Sequence, residues 1–154
     1  MDLNGDGKLD ALFARSNFGQ VGVWLGSGVG PYGAKLSFPS AGSSRAVVAG
    51  DLNGDGRLDL VVASDQVPSA ISVLLGMPGV HGSLAFAPHV DTPLAGGPAD
   101  LALGDFDNDG KLDVVTANTV GQSMSFLLGN GAGVSARLPR RRSPTHRRRS
   151  AWRT

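Results

Sequence analysis

The sequence predicts an all-β chain built from a repeated four-stranded unit. Three observations carry that expectation. A nine-residue loop recurs at 2–10, 51–59 and 105–113, at intervals of 49 and 54 residues. Each copy is followed in the same register by two short β-branched or apolar runs. The segments between runs are rich in Gly, Pro, Ser and Asn, and no helical period is present.

The loops read Asp2-Leu3-Asn4-Gly5-Asp6-Gly7-Lys8-Leu9-Asp10, Asp51-Leu52-Asn53-Gly54-Asp55-Gly56-Arg57-Leu58-Asp59 and Asp105-Phe106-Asp107-Asn108-Asp109-Gly110-Lys111-Leu112-Asp113. After each comes a first run: Leu12-Phe13-Ala14, Leu60-Val61-Val62-Ala63 or Val114-Val115-Thr116-Ala117. The second runs are 21–26, 71–76 and 124–129, and each ends in glycine. From the last loop aspartate to that glycine the distance is 16, 17 and 16 residues. A third run follows at 34–38 and 83–87, then a linker, then a run leading into the next loop at 46–49 and 101–103. These give repeats near 1–45, 46–99 and 100–133 within a region spanning 1–136, each close in length to one propeller blade.

Charge is distributed unevenly along the chain. All 13 acidic residues are aspartates, and ten of them lie in the loops. Residues 1–136 carry a net −7, whereas 137–154 carry eight arginines and no acid. Oxygen side chains at loop positions 1, 3, 5 and 9 around a glycine at position 6 suit a hard cation, and Ca2+ is the expected cofactor. Asp-Asn-Gly clusters also form ordinary turns, but three copies in register favour the metal. An EF-hand-like loop would need an acidic ligand at position 12, where this chain has Phe13, Val62 and Thr116. With no cysteine, disulfides and thiolate metal sites are excluded.

The stretch Gly50 to Ala63, with its counterparts around the other loops, resembles the FG-GAP or VCBS-type repeat family of integrin-α-like β-propellers. The resemblance covers about residues 1–133. It implies that each loop is the hairpin between the first and second strands of a blade. It also implies calcium ligation by Asp2, Asn4, Asp6, Asp10 and the Lys8 carbonyl; by Asp51, Asn53, Asp55, Asp59 and the Arg57 carbonyl; and by Asp105, Asp107, Asp109, Asp113 and the Lys111 carbonyl. Mapped this way, the chain is a partial β-propeller of about three blades. Blade one lacks its first strand, blade two is complete, and blade three ends after its third strand.

The functional expectation is a calcium-binding fragment of an extracellular or cell-surface propeller. It would act as a binding or adhesion scaffold toward a protein or carbohydrate ligand and would not be an enzyme. The resemblance implies that each calcium ion pins its hairpin and neutralises its aspartates, so the metal is expected to brace the scaffold rather than to recognise a ligand. An export signal is expected to lie outside this chain, whose first residues are not a charged-then-apolar leader. An alternative is an accessory propeller of a secreted polysaccharide-active enzyme whose catalytic domain is elsewhere. Another is a basic-tailed binder of nucleic acid or anionic surfaces through 137–154, a stretch that also reads as disordered or as foreign to the repeats. No stretch approaches a membrane span. Self-association of an open arc of blades is expected. His81 and His89 lack the partners of a zinc site or a catalytic triad. Trp24 and Tyr32 read as blade packing, with sugar stacking as the rival.

Overall fold

The structure, a computed structural model, describes residues 1–16, 18–66, 69–79, 83–120 and 122–137. His81 and the tail from 138 onward lie outside the described residues. Within them the chain is all β, with no helix, in antiparallel sheets. The first sheet joins β1 (Ala11–Arg15), β2 (Gln20–Trp24) and β3 (Lys35–Pro39) in that order. The second joins β4 (Ser44–Gly50), β5 (Asp59–Ser64), β6 (Ala70–Leu74) and β9 (Val90–Pro93). A two-stranded ribbon, β7 (Gly76–Met77) with β8 (Ala85–Phe86), interrupts it. The third joins β10 (Pro98–Gly104), β11 (Asp113–Asn118), β12 (Ser123–Gly129) and β13 (Val134–Arg137).

Two expectations are corrected here. The third sheet does have a fourth strand: β13 pairs Val134 with Gly129 and Arg137 with Leu127, so two four-stranded sheets are present rather than one. The glycine-rich turn at 130–133, with Gly131 and Gly133 at φ 76 and 120, reverses the chain in time for that pairing. In the second sheet, the run 83–87 is not the outer strand. Only Ala85–Phe86 pair, and they pair with Gly76–Met77, while Val90–Pro93 lies against β6. Pro88 has no N–H to donate to a ladder, and Pro93 is tolerated because β9 is an edge strand. The ribbon accompanies the longer second repeat interval, 54 residues against 49. The first sheet has three strands, and one backbone bond, Asp10 N–H to the Met1 carbonyl at 2.6 Å, stands where Gly50, the last residue of β4, meets Asp59 in the second sheet.

Three sheets stack face to face, with β4 touching both β1 and β10. The two faces of the middle sheet therefore meet different neighbours. Leu60, Val62 and Leu74 pack against Leu3, Val21 and Val23 of the first unit. Val61, Ala63, Ile71 and Val73 pack against Leu101, Val114 and Leu127 of the third. This explains why β5 reads Leu-Val-Val-Ala without polar alternation: both faces are covered, and all four residues are fully buried. Each Leu or Val so buried contributes about 1.5–3 kcal/mol relative to exposure. The bulge after Ser44 in β4 recurs after Pro98 in β10, so the repeat is kept even in its irregularity.

Candidate metal centre

The three loops share one hydrogen-bond plan. At position 1, the Asp2 carboxylate accepts the N–H groups of Gly5 (2.8 Å), Asp6 (3.2 Å) and Gly7 (2.7 Å). Asp51 does the same with Gly54, Asp55 and Gly56, and Asp105 with Asp109 and Gly110. At position 3, Asn4, Asn53 and Asp107 each accept from the position-5 amide at 3.1–3.2 Å. At position 5, Asp6, Asp55 and Asp109 each accept from the position-7 amide at 2.9 Å. Such wrapping needs left-handed backbone at positions 4 and 6. Gly5, Gly7, Gly54, Gly56 and Gly110 supply it with φ of 75–84, and Asn108 supplies it at φ 61. Asparagine is among the few other residues that accept that conformation at low cost.

Positions 1, 3 and 5 are thus brought together. In the third loop, carboxylate oxygens of Asp105, Asp107 and Asp109 lie within 4.8 Å of one another. An ion bonded at about 2.4 Å to each of two oxygens can span such a gap, so the trio fits calcium. Loops one and two present the same positions with an amide oxygen at Asn4 and Asn53.

Position 9 stands apart. Asp113 is not in that trio, and Asp10, Asp59 and Asp113 are buried. Each bonds two backbone amides across the hairpin. Asp59 takes Leu52 N–H at 2.8 Å on one oxygen and Gly76 N–H at 2.7 Å on the other. Asp10 takes Leu3 and Gly26, both at 2.7 Å. Asp113 takes Phe106 at 2.9 Å and Gly129 at 2.8 Å. The aspartate-to-glycine spacing of 16, 17 and 16 residues is therefore a hydrogen bond. The glycine itself is demanded by close approach. A Cβ at Gly26, Gly76 or Gly129 would lie 2.3, 2.7 or 2.2 Å from the carbonyl oxygen of Leu9, Leu58 or Leu112. These glycines, and the position-2 amides, are site residues that sequence reasoning passed over, although the fixed spacing was the signal for them.

Position 7 enters through its side chain as well as its backbone. Lys8, Arg57 and Lys111 reach the position-5 carboxylates at 3.8, 2.7 and 2.6 Å. The Lys111 ammonium hydrogen-bonded to Asp109 holds that carboxyl below its ordinary value, and the lysine's own pKa rises in return. Backbone amides do the same for Asp2, chiefly that of Gly7, and for Asp55, chiefly that of Arg57. Asp59 goes the other way, because burial outweighs its two amide bonds.

Elsewhere, His89 gains a carboxylate partner that the sequence did not suggest. Its Nδ1 lies 2.9 Å from Asp91 Oδ1, to which the Ser72 hydroxyl donates at 2.7 Å. The aspartate stands between serine and histidine and Ser72 is fully buried, so the arrangement is not a nucleophile activated by a base. Trp24 and Tyr32 stack at 6.0 Å, and both are partly exposed.

Comparison with protein families gives a match to the FG-GAP-like repeat over residues 2–62 and 55–116. The chain belongs to the FG-GAP-like repeat family. Each matched stretch of this FG-GAP-like chain starts in one loop and runs through the next loop into the strand beyond it. The matching unit is thus a loop, its sheet and the entry to the following sheet. No curated protein and no solved structure is matched. No helix among the described residues is long and apolar enough to cross a membrane.

Proposed function

We propose that this FG-GAP-like chain is a calcium-braced, β-propeller-type scaffold that works outside the cell by presenting a surface to a protein or carbohydrate ligand, and that it has no catalytic role of its own. The observation that carries the reading is the convergence of the Asp105, Asp107 and Asp109 oxygens, repeated in plan by Asp2, Asn4 and Asp6 and by Asp51, Asn53 and Asp55. Those residues would hold the ions, with Asp10, Asp59 and Asp113 closing each hairpin behind them. A bound ion would neutralise the clustered charge and cross-link the turn. Lys8, Arg57 and Lys111 already offset part of that charge, which favours the weak affinity suited to calcium-rich extracellular fluid. Thermal melts in millimolar calcium and in chelator test the reading. A midpoint raised by calcium and not by magnesium is expected, and coincident midpoints would overturn it.

A further inference from the structure

Three Asn-Gly dipeptides lie in this chain, Asn4-Gly5, Asn53-Gly54 and Asn130-Gly131. In such a pair the glycine nitrogen can close on the asparagine side chain, because glycine brings no Cβ to hinder the approach. The structure gives the three a common local geometry. Their glycines have φ of 75, 75 and 76. Each asparagine Oδ1 accepts the backbone N–H two residues on, that of Asp6 at 3.2 Å, Asp55 at 3.1 Å or Ala132 at 2.8 Å. A donor so placed polarises the side-chain carbonyl alike in all three. The attacking nitrogens differ. Gly5 N–H donates to the Asp2 carboxylate at 2.8 Å, and Gly54 N–H to that of Asp51 at 2.7 Å. Among the described residues no carboxylate takes the Gly131 N–H, and Asn130 is exposed in the turn between β12 and β13.

We propose that Asn130 is a site of spontaneous deamidation in the folded protein, and that Asp2 and Asp51 keep Asn4 and Asn53 from the same reaction. Hydroxide takes the proton of Gly131 N–H, the nitrogen bonds to Asn130 Cγ, and the Cγ–Nδ2 bond breaks as Nδ2 takes a proton from water and leaves as ammonia. Water then opens the cyclic imide. Cleavage of the new N–Cγ bond leaves aspartate. Cleavage between that nitrogen and the Asn130 backbone carbonyl carbon leaves isoaspartate, with Cβ and Cγ now in the main chain. The sum is one water consumed and one ammonia released. At Gly5 and Gly54 the closure meets two obstacles. The N–H must first leave a charged acceptor, and the anion formed on losing its proton would sit beside a carboxylate. Breaking a bond to a charged acceptor slows the closure by about tenfold to a hundredfold. The inference rests on these amide bonds and not on a bound ion. Isoaspartate at position 130 would lengthen the turn that sets Val134 against Gly129.

Peptide mapping by mass spectrometry tests it, on the whole chain aged in mildly alkaline buffer with calcium, with chelator, and in urea. In the folded chain Asn130 should convert about tenfold faster or more than Asn4 and Asn53, with calcium or with chelator. Isoaspartate alongside aspartate at position 130 marks the imide route. In urea the gap should close, because the loop bonds are gone and the dipeptide is the same. Asp51→Ala should speed conversion of Asn53 by about tenfold and leave Asn4 and Asn130 unchanged. Circular dichroism checks that variant's folding, and if it unfolds, the parent chain in buffer against urea decides alone. Equal rates in the folded chain would overturn the proposal. So would a gap that survives in urea, aspartate alone at position 130, a folded Asp51→Ala with no change at Asn53, or protection seen only in calcium, which would assign it to the ion.

Discussion

Replacing Asp59 by Ala should damage this protein more than replacing any aspartate at the tip of a loop, even without metal. Asp59 is fully buried and bonds two backbone amides, those of Leu52 and Gly76, which tie the loop's entry to the end of β6. Truncation strands both donors away from water. At about 1–3 kcal/mol for each unsatisfied buried group, the gross cost is about 2–6 kcal/mol. Burial already pushes the Asp59 carboxyl up, so removing the charge returns part of its desolvation cost. The net expectation is about 2–4 kcal/mol, a large share of the ~5–15 kcal/mol that holds a domain together. Asp59→Asn keeps the shape but turns an NH2 toward one amide, and should fall between parent and Ala.

The assay is urea denaturation in chelator and again in calcium, with Asp51→Ala as comparison. The amides around Asp51 belong to an exposed loop and can turn to water, so its loss in chelator should be closer to that of a helix cap, about 0.5–2 kcal/mol. In calcium the order should narrow, because Asp51→Ala would also forfeit the stabilisation that a bound ion would supply. If Asp59→Ala stays within about 0.5 kcal/mol of the parent in chelator, the hairpin-pin argument is wrong. A loss that appears only in calcium would make Asp59 chiefly a metal ligand.

Among the loops, the third should bind calcium most tightly, since Asp107 adds a charge where the others have Asn4 and Asn53. Calorimetric titration should lose its highest-affinity event with Asp105→Ala, and losing it with Asp51→Ala instead would reverse the ranking. Gly129→Ala should lower stability by about 1–3 kcal/mol because its Cβ would lie 2.2 Å from the Leu112 carbonyl oxygen, an atom of the backbone. Gly110→Ala has open space but φ +84, and should cost about 1–2 kcal/mol in strain alone; thermal melts that rank the pair the other way would count against the close-approach argument. In metal-free acid, Asp2, Asp55 and Asp109 have folded pKa values below the ordinary 3.8, so the stability they contribute is present above 3.8 and is lost as pH falls through the lower folded values. Asp59 has the opposite sign: its raised folded pKa means that stability increases as pH falls through that value toward 3.8. Carboxyl NMR titration should place Asp59 above the other three.

The strands most legible in the sequence were those with a partner on each side. β5, β6, β11 and β12 stand where their apolar runs placed them, and in β5 and β6 burial on both faces leaves a run of Val, Leu and Ile that few other structures explain. Outer strands left weaker marks. Val90–Pro93 has one half-buried residue in four, so nothing in its composition separates it from a linker, while 83–87 looks like a strand and spends Ala85–Phe86 on a side ribbon. β13 was missed for a related reason: a short edge strand needs only backbone pairing, and backbone pairing has no sequence code.

The loops divide along the same line between local and distant causes. Positions 1, 3, 5 and 6 are fixed by contacts within five residues, so their chemistry stands in the motif itself. Position 9 answers to two amides, one seven residues back and the other 16 or 17 residues ahead, and its composition as an aspartate matched a ligand equally well. The glycine at the far end is the sequence mark of the two-amide role. A glycine with ordinary backbone angles is retained for space, and the space at Gly26, Gly76 and Gly129 is filled by the carbonyl of position 8 in the loop. A repeated Asp-to-Gly spacing across a hairpin is thus a distance constraint written into sequence. It argues that the loop and its sheet form one mechanical unit, so that an ion gripping the tip would be felt at the end of the second strand.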